Sequence, residues 1–338
     1  MKRKLIIAFI TISFVFASWN LINPSFQNSN KDKLLIEIVK YVLEKYHYNS
    51  IEINDEFSVK MFDAYIESLD SQKKYFLASD YNEFKKYRLK LDDQLIKYDL
   101  SFFNLSHEIL IKRISEVENF YPSLLDDSFN FNVQEEINLD FENISFPRNE
   151  KERKDRWRKQ FKYTALDIYD IKISDQKLNI SNDENYIKKS EKELIKESTD
   201  LVKKNIKNVF DLMNDLQRKD WFSTYLNSFV IQLDPHTYYF KPEDKERFDM
   251  TISGKFNGIG ARLSKEEGGI KIVDIILGGP LWKDKKIEIG DEIIKVGEND
   301  NDPVDVIGMR LEDAIKLIKG PKDTEVRLTV RKNIDGEI

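Results

Sequence analysis

Not one cysteine occurs in the chain. That removes disulfides, thiolate nucleophiles, zinc–thiolate sites and a lipid-modified N-terminal cysteine together. Histidine is almost as scarce: His47, His107 and His236 stand far apart, with no HExxH pair. Metal catalysis has no ligand set to start from, and no metal or other cofactor is expected. An excess of positive charge is missing too, since 54 Lys and Arg face 60 Asp and Glu for a net charge of −6. Proteins that grip nucleic acid neutralise phosphates with a basic surface, so no nucleic-acid partner is expected. The lysine-rich stretch 151–162 is flanked by acidic residues and reads as a solvated helix face.

Long apolar runs are also lacking, with one short exception. Lys2, Arg3 and Lys4 precede twelve apolar or small residues, Leu5 to Phe16, too few for an ordinary membrane span. Val15 and Ala17 then occupy the −3 and −1 positions of a signal-peptidase site. Residues 1–17 are expected to be a signal peptide, and the rest an exported protein of a bacterial periplasm or cell envelope. An uncleaved segment would be its membrane contact.

From about Lys31 to Leu233 the apolar spacing is helical. Leu35, Val39, Val42 and Tyr46 form one stripe, and Phe57, Met61, Tyr65 and Leu69 the next. Asp80 with Glu83 three residues on is a helix-start signature, followed by Phe84, Tyr87, Leu91 and Leu95 at helical spacing. Such aromatic stripes read as core. Between Tyr121 and Glu150 the period fails, which predicts a long connector pinned by phenylalanines. Helical pattern resumes over about 150–170 and 185–232.

Glycine is withheld from the first 253 residues and then gathers from Gly254 onward. Short β-rich runs appear beside it: IGARLS, GIKIVDIIL, DEIIKV and EVRLTVRK, with the amphipathic stretch RLEDAIKLIK before the last. The chain is therefore expected to be multi-domain, α plus α/β. A helical domain over 18–233 and a connector over 234–252 lead to a β-rich domain with one or two helices over 253–333. The chain then reaches Asp335-Gly336, a two-residue hairpin turn, with a two-residue return strand. On this pattern residues 334–338 are expected to begin a hairpin or a further core, and the sequence to be cut short.

The loop SGKFNGIGARLS, Ser253 to Ser264, poses the chemical question. It matches neither GxxxxGK[ST] nor a strand–GxGxxG–helix unit, so a phosphate is a poor candidate ligand. A glycine–hydrophobic–glycine turn just before a strand can aim successive N–H groups at an anion. An extended peptide added to that strand edge would end its carboxylate there. A tight turn with no ligand is the alternative for the loop taken alone.

The order of elements bears on this choice. GGP at 278–280, IEIGDEIIKVGE at 287–298 and LEDAIKLIKGPKDTEVRLTV at 311–330 together resemble a bacterial PDZ domain. By that resemblance Gly258, Ile259, Gly260 and Ala261 hold a peptide carboxylate through backbone N–H groups. Leu263, Leu311, Ala314, Ile315 and Ile318 would line the pocket for the last peptide side chain. With LDPHTYYF before that part and FDAYIESLDSQKKYFLASDYNEF upstream, most of residues 35–333 resembles the tail-specific proteases, the C-terminal processing peptidases. The resemblance implies a serine-type endopeptidase with a lysine as base, acting on C-terminal tails of protein substrates, with an envelope adaptor a possible partner.

In that family the serine and lysine lie downstream of the PDZ domain, so no catalytic residue is assigned here. Ser71 and Lys74 share an S-x-x-K spacing that chance explains in a chain rich in both, and His236 beside Asp234 lacks a serine in an elbow context. Two readings stay open: the substrate-handling part of a processing peptidase, or a stand-alone non-catalytic peptide-binding protein of the envelope.

Overall fold

A computed structural model describes residues 24–49, 52–183, 185–254, 258–266, 269–299, 301–320 and 324–332. The signal segment and the Asp335-Gly336 turn lie outside the described residues. The chain divides into two compact units, Met1–Tyr239 and Phe240–Ile338.

The first unit is helical. It contains α1 (Pro24–Tyr46), α2 (Asp55–Asp70), α3 (Ala78–Phe84), α4 (Leu91–Lys97), α5 (Ser101–Phe120), α6 (Glu150–Asn182), α7 (Glu191–Asp215) and α8 (Arg218–Val230). Helix α2 starts because the Asn54 side chain accepts the Phe57 N–H at 3.1 Å, satisfying one of the open donors of the first turn. Its stripe Phe57, Met61, Tyr65 and Leu69 is buried as the spacing requires. Tyr65 packs edge-on against Tyr225 of α8, ring centroids 5.0 Å apart, and its hydroxyl meets Ser106 of α5 at 3.2 Å. Three helices thus share one aromatic core.

The α2 C-terminus is held by a carboxylate. Asp70 is buried and accepts the N–H groups of Lys74, Tyr75 and Phe76 at 2.8, 2.9 and 2.9 Å. Around the same turn, buried Arg153 of α6 donates to the Tyr75 carbonyl and to Glu116, while Trp157 donates to the Lys74 carbonyl. The turn is therefore fixed from both sides.

Three details differ from the sequence pattern. The buried face of α1 centres on Ile36, with Leu35, Val39 and Leu43 partly buried, whereas Val42 and Tyr46 are exposed. Asp80 is not the cap of α3 but its third residue, accepting the Leu77 N–H at 2.8 Å; Glu83 pairs with Lys86 on the surface. The Phe84–Leu95 stripe is not one helix, because a 3₁₀ turn over Lys85–Tyr87 breaks it, although Phe84, Leu91 and Leu95 are all buried. Between α5 and α6 no long helix or strand forms. Phe129 and Phe131 rest on the core there and Phe146 is buried.

Among the described residues the second unit is a five-stranded sheet with three helices. It runs α9 (Pro242–Ser253), β1 (Ala261–Glu266), β2 (Gly269–Ile275), α10 (Pro280–Asp284), β3 (Glu292–Glu298), β4 (Val304–Asp305), α11 (Leu311–Lys319) and β5 (Val326–Arg331). All pairings are antiparallel: β1 with β2, β2 with β3, and β3 with both β4 and β5. Ile270, Ile272, Ile293 and Val296 point into a small core that Ala314 and Ile318 of α11 close.

The segment read as a connector is divided. Residues 234–239 belong to the helical unit, with the Tyr48 hydroxyl on Asp234 and His47 Nε2 2.9 Å from Thr237 Oγ1. From Pro242 onward the chain is helix α9, started by a proline whose missing N–H costs nothing in a first turn.

Candidate functional site

The glycine loop lies at the start of β1. Gly258 and Gly260 hold φ values of +137° and +77°, conformations that residues with a Cβ rarely adopt. The carbonyls of the loop are taken up inside the unit: Leu281 N–H donates to Ile259 O at 3.0 Å, and Ile276 N–H donates to Gly260 O at 2.9 Å. Among the described residues no acceptor bonds the N–H of Ile259 or of Gly260. Two adjacent donors without an internal partner are the raw material of an anion site.

The second glycine is required by packing as well as by φ. A Cβ on Gly260 would stand 3.0 Å from Gly279 Cα and 3.1 Å from Pro280 Cδ. A Cβ on Gly279 would in turn meet Gly260 Cα at 3.1 Å and Ile276 O at 3.0 Å. The GIG and GGP motifs, twenty residues apart in sequence, are thus two faces of one backbone contact. Gly279 and Pro280 belong to the site although sequence reasoning assigned them no part in it.

Strand β1 sits at the end of the sheet, with β2 on one side and no partner strand on the other among the described residues. Ile259, Ala261 and Leu263 pack against the core while Arg262 is exposed, the alternation of a strand with one buried face. A bulge between Arg262 and Leu263 shifts the register against β2.

The expected pocket residues fall into two groups. Ala314 and Ile318 are buried in the core, with 0 and 2 % of their surface exposed, and leave nothing for a ligand in the free protein. Leu263 and Leu311 are partly buried and Ile315 is 39 % exposed. Leu311 and Ile315, four residues apart, share one face of α11. The exposed part of the proposed pocket is therefore Leu263, Leu311 and Ile315.

The catalytic look-alikes are not assembled. Ser71 is exposed at the end of α2, and Lys74 Nζ donates to Gln72 Oε1 at 2.7 Å and lies 4.4 Å above the Trp157 ring. Burial pushes the Lys74 ammonium down to about 8. No bond between Ser71 and Lys74 occurs among the described residues. The His236 N–H donates to Asp234 Oδ1 in a tight turn, and its side chain is exposed. Among the described residues no group of three or more acidic or histidine side chains is placed to hold a metal ion, and no helix is long and apolar enough to cross a membrane. A cleft of about 1170 Å³ in the first unit, lined by Glu136, Asn149, Lys151 and Arg156 among others, mixes both charge signs and has no serine in its lining.

The family described as the tail-specific protease N-terminal domain matches residues 38–243, and the PDZ domain family matches residues 249–331. The chain belongs to the tail-specific proteases. A tail-specific protease of Haemophilus influenzae is 34% identical over 289 residues, 85% of this chain and 39% of that protein. The carboxy-terminal processing protease CtpA of Bacillus subtilis is 39% identical over 105 residues, 31% of this chain and 21% of that one. The chain thus spans about two fifths of the length of the first tail-specific protease and a fifth of the second. The PDZ domain of a carboxy-terminal protease from Vibrio cholerae, solved in complex with peptide, is 45% identical. That match covers 22% of this chain and 74% of the solved one, with a TM-score of 0.21.

Proposed function

We propose that the second unit captures the C-terminal tails of protein substrates for processing by a serine-type endopeptidase of the cell envelope. The tail lies along the open edge of β1 as an added strand. Its terminal carboxylate takes the N–H groups of Gly258–Ala261, and its last, apolar side chain rests on Leu263, Leu311 and Ile315. The observation that carries this reading is the pair of donors at Ile259 and Gly260, which find no acceptor among the described residues, beside a strand edge that no described strand pairs. The membership of the helical unit in the tail-specific proteases supports the processing role. Export rests on the signal-peptide pattern of residues 1–17.

The test is calorimetric. A short peptide ending in leucine is titrated into the protein with its C-terminus free, and again amidated. Amidation removes the negative charge and one acceptor oxygen. Hydrogen bonds to charged groups contribute roughly 1.5–3 kcal/mol each, so a ten- to hundredfold loss of affinity is expected. Equal binding of the two peptides would reduce the loop to a turn and end this reading.

A further inference from the structure

Helix α9 runs beside the helix that flanks the glycine loop, and it presents carboxylates to that helix's lysines. Glu243 meets Lys316 at 2.7 Å, Glu246 meets Lys319 at 2.6 Å, and Arg247 reaches Glu312 at 3.4 Å. Lys319 is the last residue of α11, and its stem passes the loop: a Cβ on Gly258 would lie 3.8 Å from Lys319 Cγ. Three more bonds carry the ammonium from that atom, so the charge can swing toward the loop or toward α9. In the free protein it is held by Glu246.

We propose that Lys319 is a further carboxylate-binding residue of this site, and that Glu246 occupies it until a peptide carboxylate takes its place. The inference rests on the proposed peptide-capture reading and adds a competitor built into the same unit. Three observations support an exchange. The occupant is itself a carboxylate, the chemistry that the loop is proposed to receive. The Glu246 side chain is 63% exposed and that of Lys319 28%, and exposed ion pairs are weak enough to be given up for a better acceptor. The incoming carboxylate also meets the backbone donors of Ile259 and Gly260, which Glu246 does not bond. Binding a tail therefore releases the contact between α9 and the end of α11.

The experiment uses the full chain and the leucine-ending peptide in both forms, with the variants E246Q, K319M, the double variant, and E243Q as control. E246Q removes the competitor's charge and is expected to tighten binding of the free-carboxylate peptide about two- to fivefold, leaving the amidated peptide unchanged. K319M is expected to weaken the free form by a similar factor or more and to abolish the effect of E246Q in the double variant. E243Q breaks the neighbouring pair with Lys316 and should change neither peptide. A free-over-amidated preference that survives with both E246Q and K319M ineffective would overturn the exchange and leave the loop reading intact. Equal tightening by E243Q would also overturn it, since general loosening of α9 would then be the cause. No preference in the wild type would overturn both.

Discussion

The backbone contact between Gly260 and Gly279 can be taken apart with three alanine substitutions, because the structure separates its two costs. Gly260 carries both: φ is +77°, and an added Cβ would sit 3.0 Å from Gly279 Cα. Gly278 carries only the first, with φ +80° and nothing within 4 Å of its Cβ position. Gly279 carries only the second, since its φ of −71° suits any residue while its Cβ would meet Ile276 O at 3.0 Å. Holding an L-residue in the left-handed region costs about 1–2 kcal/mol. Forcing a methyl group into a packed backbone contact costs about 1–3 kcal/mol. Gly278→Ala should then destabilise the second unit by about 1–2 kcal/mol and Gly279→Ala by about 1–3 kcal/mol. Gly260→Ala should lose the sum, about 2–5 kcal/mol.

The readout must report on the second unit alone. The Ile272 amide, bonded to Asp291 O at 2.9 Å within its core, serves through native-state hydrogen exchange. Each 1.4 kcal/mol lost speeds exchange through unit opening about tenfold. If Gly260→Ala exchanges no faster than Gly278→Ala, the loop yields to a methyl group and the contact does not hold its shape. Free-carboxylate binding by the same variants then asks a second question. Gly278→Ala should leave the carboxylate preference in place, whereas Gly260→Ala should lose it, because the donors at 259 and 260 move with the loop.

Two further outcomes concern the helical unit. Asp70→Ala strips the acceptor from three N–H groups at a buried turn, so urea unfolding should show a loss of about 3 kcal/mol or more, with part recovered by Asp70→Asn; equal losses would refute the acceptor role. Lys74 is held at about 8 by burial against an ordinary 10.5, so the unfolded chain binds its proton more tightly between those values and stability should rise with pH across that window; Lys74→Met should flatten the rise, and an unchanged pH profile would refute the shift.

The elements of the second unit were legible because each is announced locally. A period of two marks β1 and β5, short β-rich runs mark β2 and β3, and the 311, 314, 315, 318 spacing marks α11. Helix α1 was misread for the opposite reason. Leu34, Leu35, Ile36, Ile38, Val39, Tyr41, Val42 and Leu43 are apolar nearly all round, so periodicity cannot say which face turns inward. Its true face was set by what α1 packs against. The site divides along the same line. The glycine turn before β1 was readable from three glycines ahead of a strand, but the role of Gly279 was not, because a close backbone approach between distant residues leaves no mark in either neighbourhood. Helix α9 lies between these cases. Pro242 followed by Glu243 and Asp244 is a helix start, and Glu243, Glu246 and Arg247 fall on one face of it. What the sequence withheld was the partner: nothing in the spacing of the α11 lysines says that carboxylates of α9 stand against them. Charge spacing could announce the helix, and only tertiary structure could turn Glu246 toward Lys319 beside the loop.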